Sequence, residues 1–152
     1  MAFQKLLKEF YFFKSFSPAE LDAIEAISER ASIHPNHVIF KEGDEASSMY
    51  LVESGSVKIL RRDNAGIIAR IGKGGGPFGE MPFLDGGTRS GTAMAVEETS
   101  LIKIPYTKLA TVLLNDPETA LKFYEVAAKV VSHRLRLTLE DHQQAKDTFK
   151  MF

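Results

Sequence analysis

The stretch Phe78-Gly79-Glu80-Met81-Pro82-Phe83-Leu84-Asp85-Gly86-Gly87-Thr88-Arg89-Ser90-Gly91-Thr92 sets one carboxylate and one guanidinium nine positions apart across a glycine-rich excursion. Arg89 offers a rigid fork of donors matched to phosphate oxygens. Glu80 is an acceptor suited to ribose hydroxyls. Gly79 and Gly91 let the backbone approach a ligand where a side chain would obstruct it. Together these residues suit a compact, anionic, sugar-bearing ligand. A short helix beginning near Glu80 would aim its free N–H groups and positive dipole end at the same anion. The plainer alternative is a structural ion pair that stabilises a loop.

Other chemistries find little support. The chain has no cysteine, which excludes disulfides, thiolate catalysis and cysteine-ligated metals. His34 and His37 are three apart but separated by Pro35 in an irregular stretch, and His133 and His142 fall on a helix. They read as surface residues, so no metal is expected. No nucleophile has an adjacent base, so the chain is not read as an enzyme. A formal net charge of −1 gives no global attraction to nucleic acid or to an anionic membrane. No apolar run approaches the ~20 residues needed to span a bilayer. The expectation is a soluble, cytoplasmic protein with neither DNA nor membrane as partner.

The elements that must position the stretch divide into helix, strands, helix. Phe3, Leu6, Leu7, Phe10 and Phe13 recur at helical spacing and predict an amphipathic first helix. It either packs on its own domain or offers a contact to a partner subunit. Ser17-Pro18-Ala19-Glu20 is a capping signature with proline at the first helical position. From Ser32 to Pro105 come short β-type runs broken by glycine: 38–40, 49–52, 57–60, 67–71, 93–96 and 101–104. Many short strands with close turn signals indicate an antiparallel barrel or jelly roll. Arg61-Arg62-Asp63 reads as a solvated hairpin end. Helix returns over Tyr106–Leu114, and Asn115-Asp116-Pro117 breaks it. From Glu118 to about Gln144 one long helix follows, free of proline and glycine. It is longer than a small barrel can cover, so part should meet a second chain or close over a ligand.

With these pieces in order, the sequence resembles the cyclic nucleotide-binding domain family over roughly Phe10–Glu140. The resemblance rests on Phe16-Ser17-Pro18-Ala19-Glu20-Leu21, Ile39-Phe40-Lys41-Glu42-Gly43-Asp44, Tyr50-Leu51-Val52-Glu53-Ser54-Gly55-Ser56-Val57 and the Gly79-Glu80 to Arg89-Ser90 segment. It implies an α+β fold: an antiparallel, jelly-roll-like β-roll (a double-stranded β-helix) flanked by N-terminal helices and a long C-terminal helix. The division expected is one domain over 1–152, with N-terminal helices in 1–31, the roll in 32–105 and C-terminal helices in 106–145. Residues 78–92 would be the phosphate-binding cassette. The implied ligand is cyclic AMP or cyclic GMP, cyclic AMP ranking first, with no metal.

By the same resemblance, Glu80 would accept from the ribose 2′-hydroxyl and Arg89 would pair with the cyclic phosphate. Gly79 and Ser90 would add backbone donors, within a segment running from Phe78 through Gly91. Ile71 and Met81 stand at apolar contact positions, and Arg134, Arg136 or Thr138 would reach the purine from the last helix, acting as a lid. Four departures stand out. Pro82 lacks an amide donor, Gly74-Gly75-Gly76-Pro77 makes a longer approach, Gly91 and Ala93 are small, and no helix-turn-helix follows. The function expected is a cyclic nucleotide sensor that signals by repositioning its C-terminal helix, to a homodimer partner on that helix or to an unidentified effector. Two readings compete: a degenerate domain serving as an oligomerisation scaffold without nucleotide, and a metal-dependent enzyme on a cupin-like roll.

Overall fold

The computed structural model describes residues 7–61 and 66–141. Phe3 and Leu6 of the expected first helix, residues 62–65 of the hairpin end, and the tail from His142 onward lie outside the described residues. A 3-10 turn at Tyr11–Phe13 precedes α1, Pro18–Ile27. Seven strands follow: β1 Glu29–Ile33, β2 Val38–Phe40, β3 Ser48–Ser54, β4 Ser56–Leu60, β5 Ile67–Gly72, β6 Thr92–Ala95 and β7 Thr99–Pro105. Helix α2, Met81–Asp85, interrupts the strands, and α3, Tyr106–Asn115, and α4, Pro117–Asp141, complete the described chain.

The strands form two antiparallel sheets, ordered β1-β7-β3 and β2-β6-β4-β5. The α+β architecture expected from the residues is the one observed. Strand β1 was not foreseen, and it begins three positions before the boundary expected for the roll. Its sequence, Glu-Arg-Ala-Ser-Ile, is polar and largely exposed, and its pairing with β7 from Glu29↔Lys103 to Ile33↔Thr99 holds it in place. Register against a distant strand is not a local property.

Period-two alternation in β3 and β7 separates two cores. Met49 and Leu51 of β3, with Ile102 and Ile104 of β7, face a helical layer. Val52 and Leu101, one residue out of phase, face the interior between the sheets with Val57, Ile71, Phe78 and Ala93. Phe10, Phe12, Phe13 and Phe16 are all buried in the helical-layer core. Phe12 meets Phe123 of α4 edge-on at 5.4 Å, and Phe13 meets Phe16 at 5.2 Å. Such pairs contribute about 0.5–1.5 kcal/mol each beyond area burial. These phenylalanines therefore pack on their own chain rather than on a partner.

The capping signature forms as expected. Glu20 N donates to Ser17 Oγ at 3.2 Å, and Ser17 N donates to Glu20 Oε1 at 2.7 Å. Glu20 also reaches α4, accepting from Lys122 Nζ at 2.7 Å and from the Thr119 hydroxyl at 3.2 Å. Burial alone would push the Glu20 carboxyl up, but the bonds from Lys122, Ser17 and Thr119 outweigh it and hold it at about 2. A carboxylate stabilised in the fold supports stability above its unfolded value of 4.5, and that support is lost as pH falls toward about 2. Glu20→Ala should therefore cost about 1–3 kcal/mol at neutral pH. In urea unfolding, the gap to the native chain should narrow as acid protonates Glu20.

Candidate ligand site

The cassette enters from β3. Tyr50 and Phe78 exchange backbone hydrogen bonds, each 2.9 Å long, and their rings stack at 5.3 Å. This bridge anchors the start of the segment to the three-stranded sheet. Helix α2 then supplies the single turn expected between Glu80 and Arg89. Pro82 lies in its first turn, where a missing N–H removes no helical bond. Gly86, in the left-handed region, closes the turn by donating to Pro82 O at 2.8 Å. The backbone N–H of Arg89 donates to Asp44 O and Gly43 N donates to Arg89 O, each at 2.9 Å. The Glu42-Gly43-Asp44 turn thus sets where the arginine begins.

Arg89 is only 4% exposed. Its Nη2 donates to Ser48 O at 2.7 Å, and its Nη1 donates to Gly79 O at 2.9 Å and approaches the Tyr106 hydroxyl at 3.3 Å. The guanidinium lies 3.9 Å from the centre of the Phe40 ring, a cation–π contact. Each of these hydrogen-bond partners is neutral. Nε is buried and has no partner. The Tyr106 hydroxyl also donates to Gly79 O. Gly79 has a positive φ of 75°, and a Cβ there would stand 2.6 Å from Arg89 Nη1. Glycine is needed here for both conformation and space.

Glu80 is 3% exposed and does not pair with Arg89. Arg134 of α4 takes it, donating from Nη1 to Oε1 at 2.8 Å. The second arm of Arg134 donates to Pro77 O. Burial is the main influence on the Glu80 carboxyl and pushes it up; Arg134 and, more weakly, Arg89 pull it down without cancelling that rise. Burial likewise raises Tyr50 and Tyr106. The site is an alternation of charges: Arg134 bonded to Glu80, with Arg89 close enough to be felt by Glu80 but held on carbonyls and rings.

The other sequence-predicted residues divide. Phe78 and Ile71 are buried in the core between the sheets. Met81 is 41% exposed, and the Ser90 hydroxyl lies 3.6 Å from its sulfur. Gly91 is set by packing, since a Cβ would stand 2.9 Å from Ile59 Cγ2. Of the three lid candidates only Arg134 touches the cassette. Arg136 and Thr138 are exposed, and Thr138 donates to the Arg134 carbonyl of its own helix. Phe40, Ser48 and Tyr106, and the carbonyl of Pro77, define the surroundings of both charges, a role the sequence does not signal. Phe40 stood inside a motif, but three of these contacts use backbone oxygens or the first residue of a helix, which carry no signature. An open cleft of about 480 Å³ lies elsewhere, lined by Arg30, Glu53, Ser54, Lys73 and Ser100.

This cassette on this roll marks a class of regulatory ligand-binding domain. A sequence profile of the cyclic nucleotide-binding domain matches residues 30–116, more than half of the chain, and the chain belongs to that family. A cyclic AMP receptor protein of Thermus thermophilus is 37% identical over 95 residues, covering 60% of this chain and 44% of that protein. A lysophospholipase of Neurospora crassa is 29% identical over 127 residues, covering 82% of this chain but 8% of the enzyme. The solved structure of a cyclic nucleotide-binding domain from Methylobacillus flagellatus superposes with a TM-score of 0.78 at 23% identity, covering 91% of this chain and 79% of that one. The chain thus spans under half the length of either curated relative. Among the described residues no helix is long and apolar enough to cross a membrane, and no group of acidic or histidine side chains could hold a metal.

The clash at Gly79 can be isolated by comparison with Gly86, which shares a φ near 74° but faces open space. Gly86→Ala should cost about 1–2 kcal/mol for the left-handed backbone alone. Gly79→Ala should cost roughly twice that, because the guanidinium must also move. Chemical denaturation of both variants measures the difference.

Proposed function

We propose that this chain is a cyclic nucleotide sensor, taking cyclic AMP ahead of cyclic GMP, and that ligand binding repositions its C-terminal helix. The observation that carries the reading is Arg89. A guanidinium this buried, bonded only to neutral groups and keeping one N–H unpartnered, has a site for an anion. A cyclic phosphate would supply the missing negative charge and compete with the Ser48 and Gly79 carbonyls for the fork. Glu80, beside it and already serving as an acceptor, would take the ribose 2′-hydroxyl. Cyclic AMP ranks first because the Thermus receptor protein named for it has the highest percent identity of the relatives above. In this reading the chain's own residues bind and orient, and no bond is broken. Domain limits of 1–152, a cassette over 78–92 and a cytoplasmic setting belong to the same proposal.

Signalling needs a surface. On α4, Leu121, Tyr124, Ala128, Val131, Leu135 and Thr138 recur at alternating steps of three and four. Leu121 is 67% exposed, Tyr124 48% and Leu135 52%. The inward stripe is a different one, with Phe123 and Ala127 buried. An exposed apolar seam at heptad spacing suits a second copy of the same helix, so we assign a homodimer through α4. The competing scaffold reading has its own support: Arg89 and Glu80 are already engaged by protein groups.

Two outcomes are expected. Calorimetry should register micromolar binding of cyclic AMP, and ligand at 100 times its dissociation constant should raise stability by about 2.7 kcal/mol. The 2′-deoxy analogue should bind about tenfold or more weakly, since it leaves a buried acceptor unpaired. No heat with cyclic AMP or cyclic GMP on folded protein would instead favour the scaffold. For the dimer, light scattering should show twice the chain mass, and Leu121→Glu with Leu135→Glu should return it to monomer.

A further inference from the structure

The position of Arg134 bears on how the site is controlled. Its side chain remains 35% exposed while the carboxylate it grips is 4% exposed, so Arg134 reaches in from the surface to Glu80. Its two arms divide between Glu80 Oε1 and Pro77 O, one bond on each side of the cassette's entry. Gly76 lies alongside, where a Cβ would stand 3.6 Å from Arg134 Nη2, an ordinary packing distance. The approach loop, the cassette carboxylate and α4 are thus joined through one side chain.

That placement has a cost for any ligand. A hydroxyl seeking Glu80 meets a carboxylate whose Oε1 already holds a charge-assisted bond. Along α4, the helix is pinned near its start by Lys122 and Thr119 on Glu20 and by Phe123 and Ala127 in the core. Beyond Ala127, the side chain that reaches the cassette is Arg134. Val130 still packs on the helical-layer core; past it, the contact that fastens α4 to the cassette is a polar one, at the very acceptor the ligand would use.

Resting on the cyclic nucleotide reading above, we infer that Arg134 is a tethered competitor. It latches the far half of α4 to the cassette in the absence of ligand, and a ribose hydroxyl releases it by taking Glu80. The sign separates this from a lid contact. A residue that grips the ligand weakens binding when removed; a competitor strengthens it. The coupling is reciprocal, so what tightens ligand binding must loosen the helix.

The test uses the full chain and two readouts. Calorimetry with cyclic AMP and cyclic GMP compares the native protein, Arg134→Gln and, as a control, Lys129→Gln, an exposed α4 residue paired only with Glu125. Hydrogen exchange of the amides of residues 128–141 in nucleotide-free protein reports the latch directly. Arg134→Gln should bind about tenfold tighter, the scale of one charge-assisted hydrogen bond. It should also exchange faster over the far half of α4, while Lys129→Gln changes neither. Glu80→Gln, near-isosteric and uncharged, should reproduce the faster exchange. Weaker or unchanged binding by Arg134→Gln overturns the competitor, and unchanged exchange overturns the latch. If no variant binds either nucleotide, the receptor reading itself falls and competition with it, while the exchange data still decide whether Arg134 fastens the helix.

Discussion

A buried positive charge is the constraint from which the rest of the structure follows. Taking a guanidinium out of water is tolerated only when dipoles or charges replace the lost solvation. Arg89 finds them in the carbonyls of Ser48 and Gly79, the hydroxyl of Tyr106 and the face of Phe40. Those groups belong to β3, the cassette, the start of α3 and β2. One side chain thereby ties both sheets and the first C-terminal helix to one point. Gly79 is favoured because its φ is positive and the guanidinium sits where a side chain would be. An incomplete set of partners is also what makes the same residue suited to an anion.

From that point the structure communicates with α4 by two routes of different character. One is apolar: Phe83 of α2 packs on Tyr106, on Phe123 and on Tyr124, at 5.3, 5.6 and 6.4 Å between ring centres. The other is polar, the reach of Arg134 to Glu80. Aromatic packing does not discriminate charge, whereas the ion pair answers directly to whatever occupies Glu80. Near its start, α4 is also fastened by Glu20, whose carboxylate serves as α1 cap and as acceptor for Lys122 and Thr119. The helix is thus fixed by core packing as far as Val130 and by a polar contact at Arg134.

Membership of the cyclic nucleotide-binding domain family places these features in context without deciding them. The same domain type accounts for a small share of a fungal lysophospholipase and nearly half of a bacterial cyclic AMP receptor protein. A fold shared with such different proteins does not by itself fix what any one of them does. In this chain α4 carries an exposed apolar seam that includes Leu121, Tyr124 and Leu135. The seam runs beside the stripe that packs on the domain and meets it at Tyr124, whose ring also stacks on Phe83.

Much of this was legible in the residues. Capping at Ser17 and Glu20, glycine-punctuated β runs and the break at Asn115-Asp116-Pro117 are local patterns, and local patterns survive folding. The strands from 38 onward appear where the glycine-broken β runs put them, within a residue or two at their ends, and the short helix expected near Glu80 is α2. Strand β1 does not announce itself, because its pairing with β7 rather than its composition makes it a strand. The charges show the same division. Their types and spacing came from the chain alone, but their partners did not. Arg89 turned to backbone oxygens, which every residue carries, and Glu80 to an arginine 54 positions away. Sequence determined which groups could recognise an anion and a sugar; only the packing of two sheets against a long helix decided what holds those groups in place.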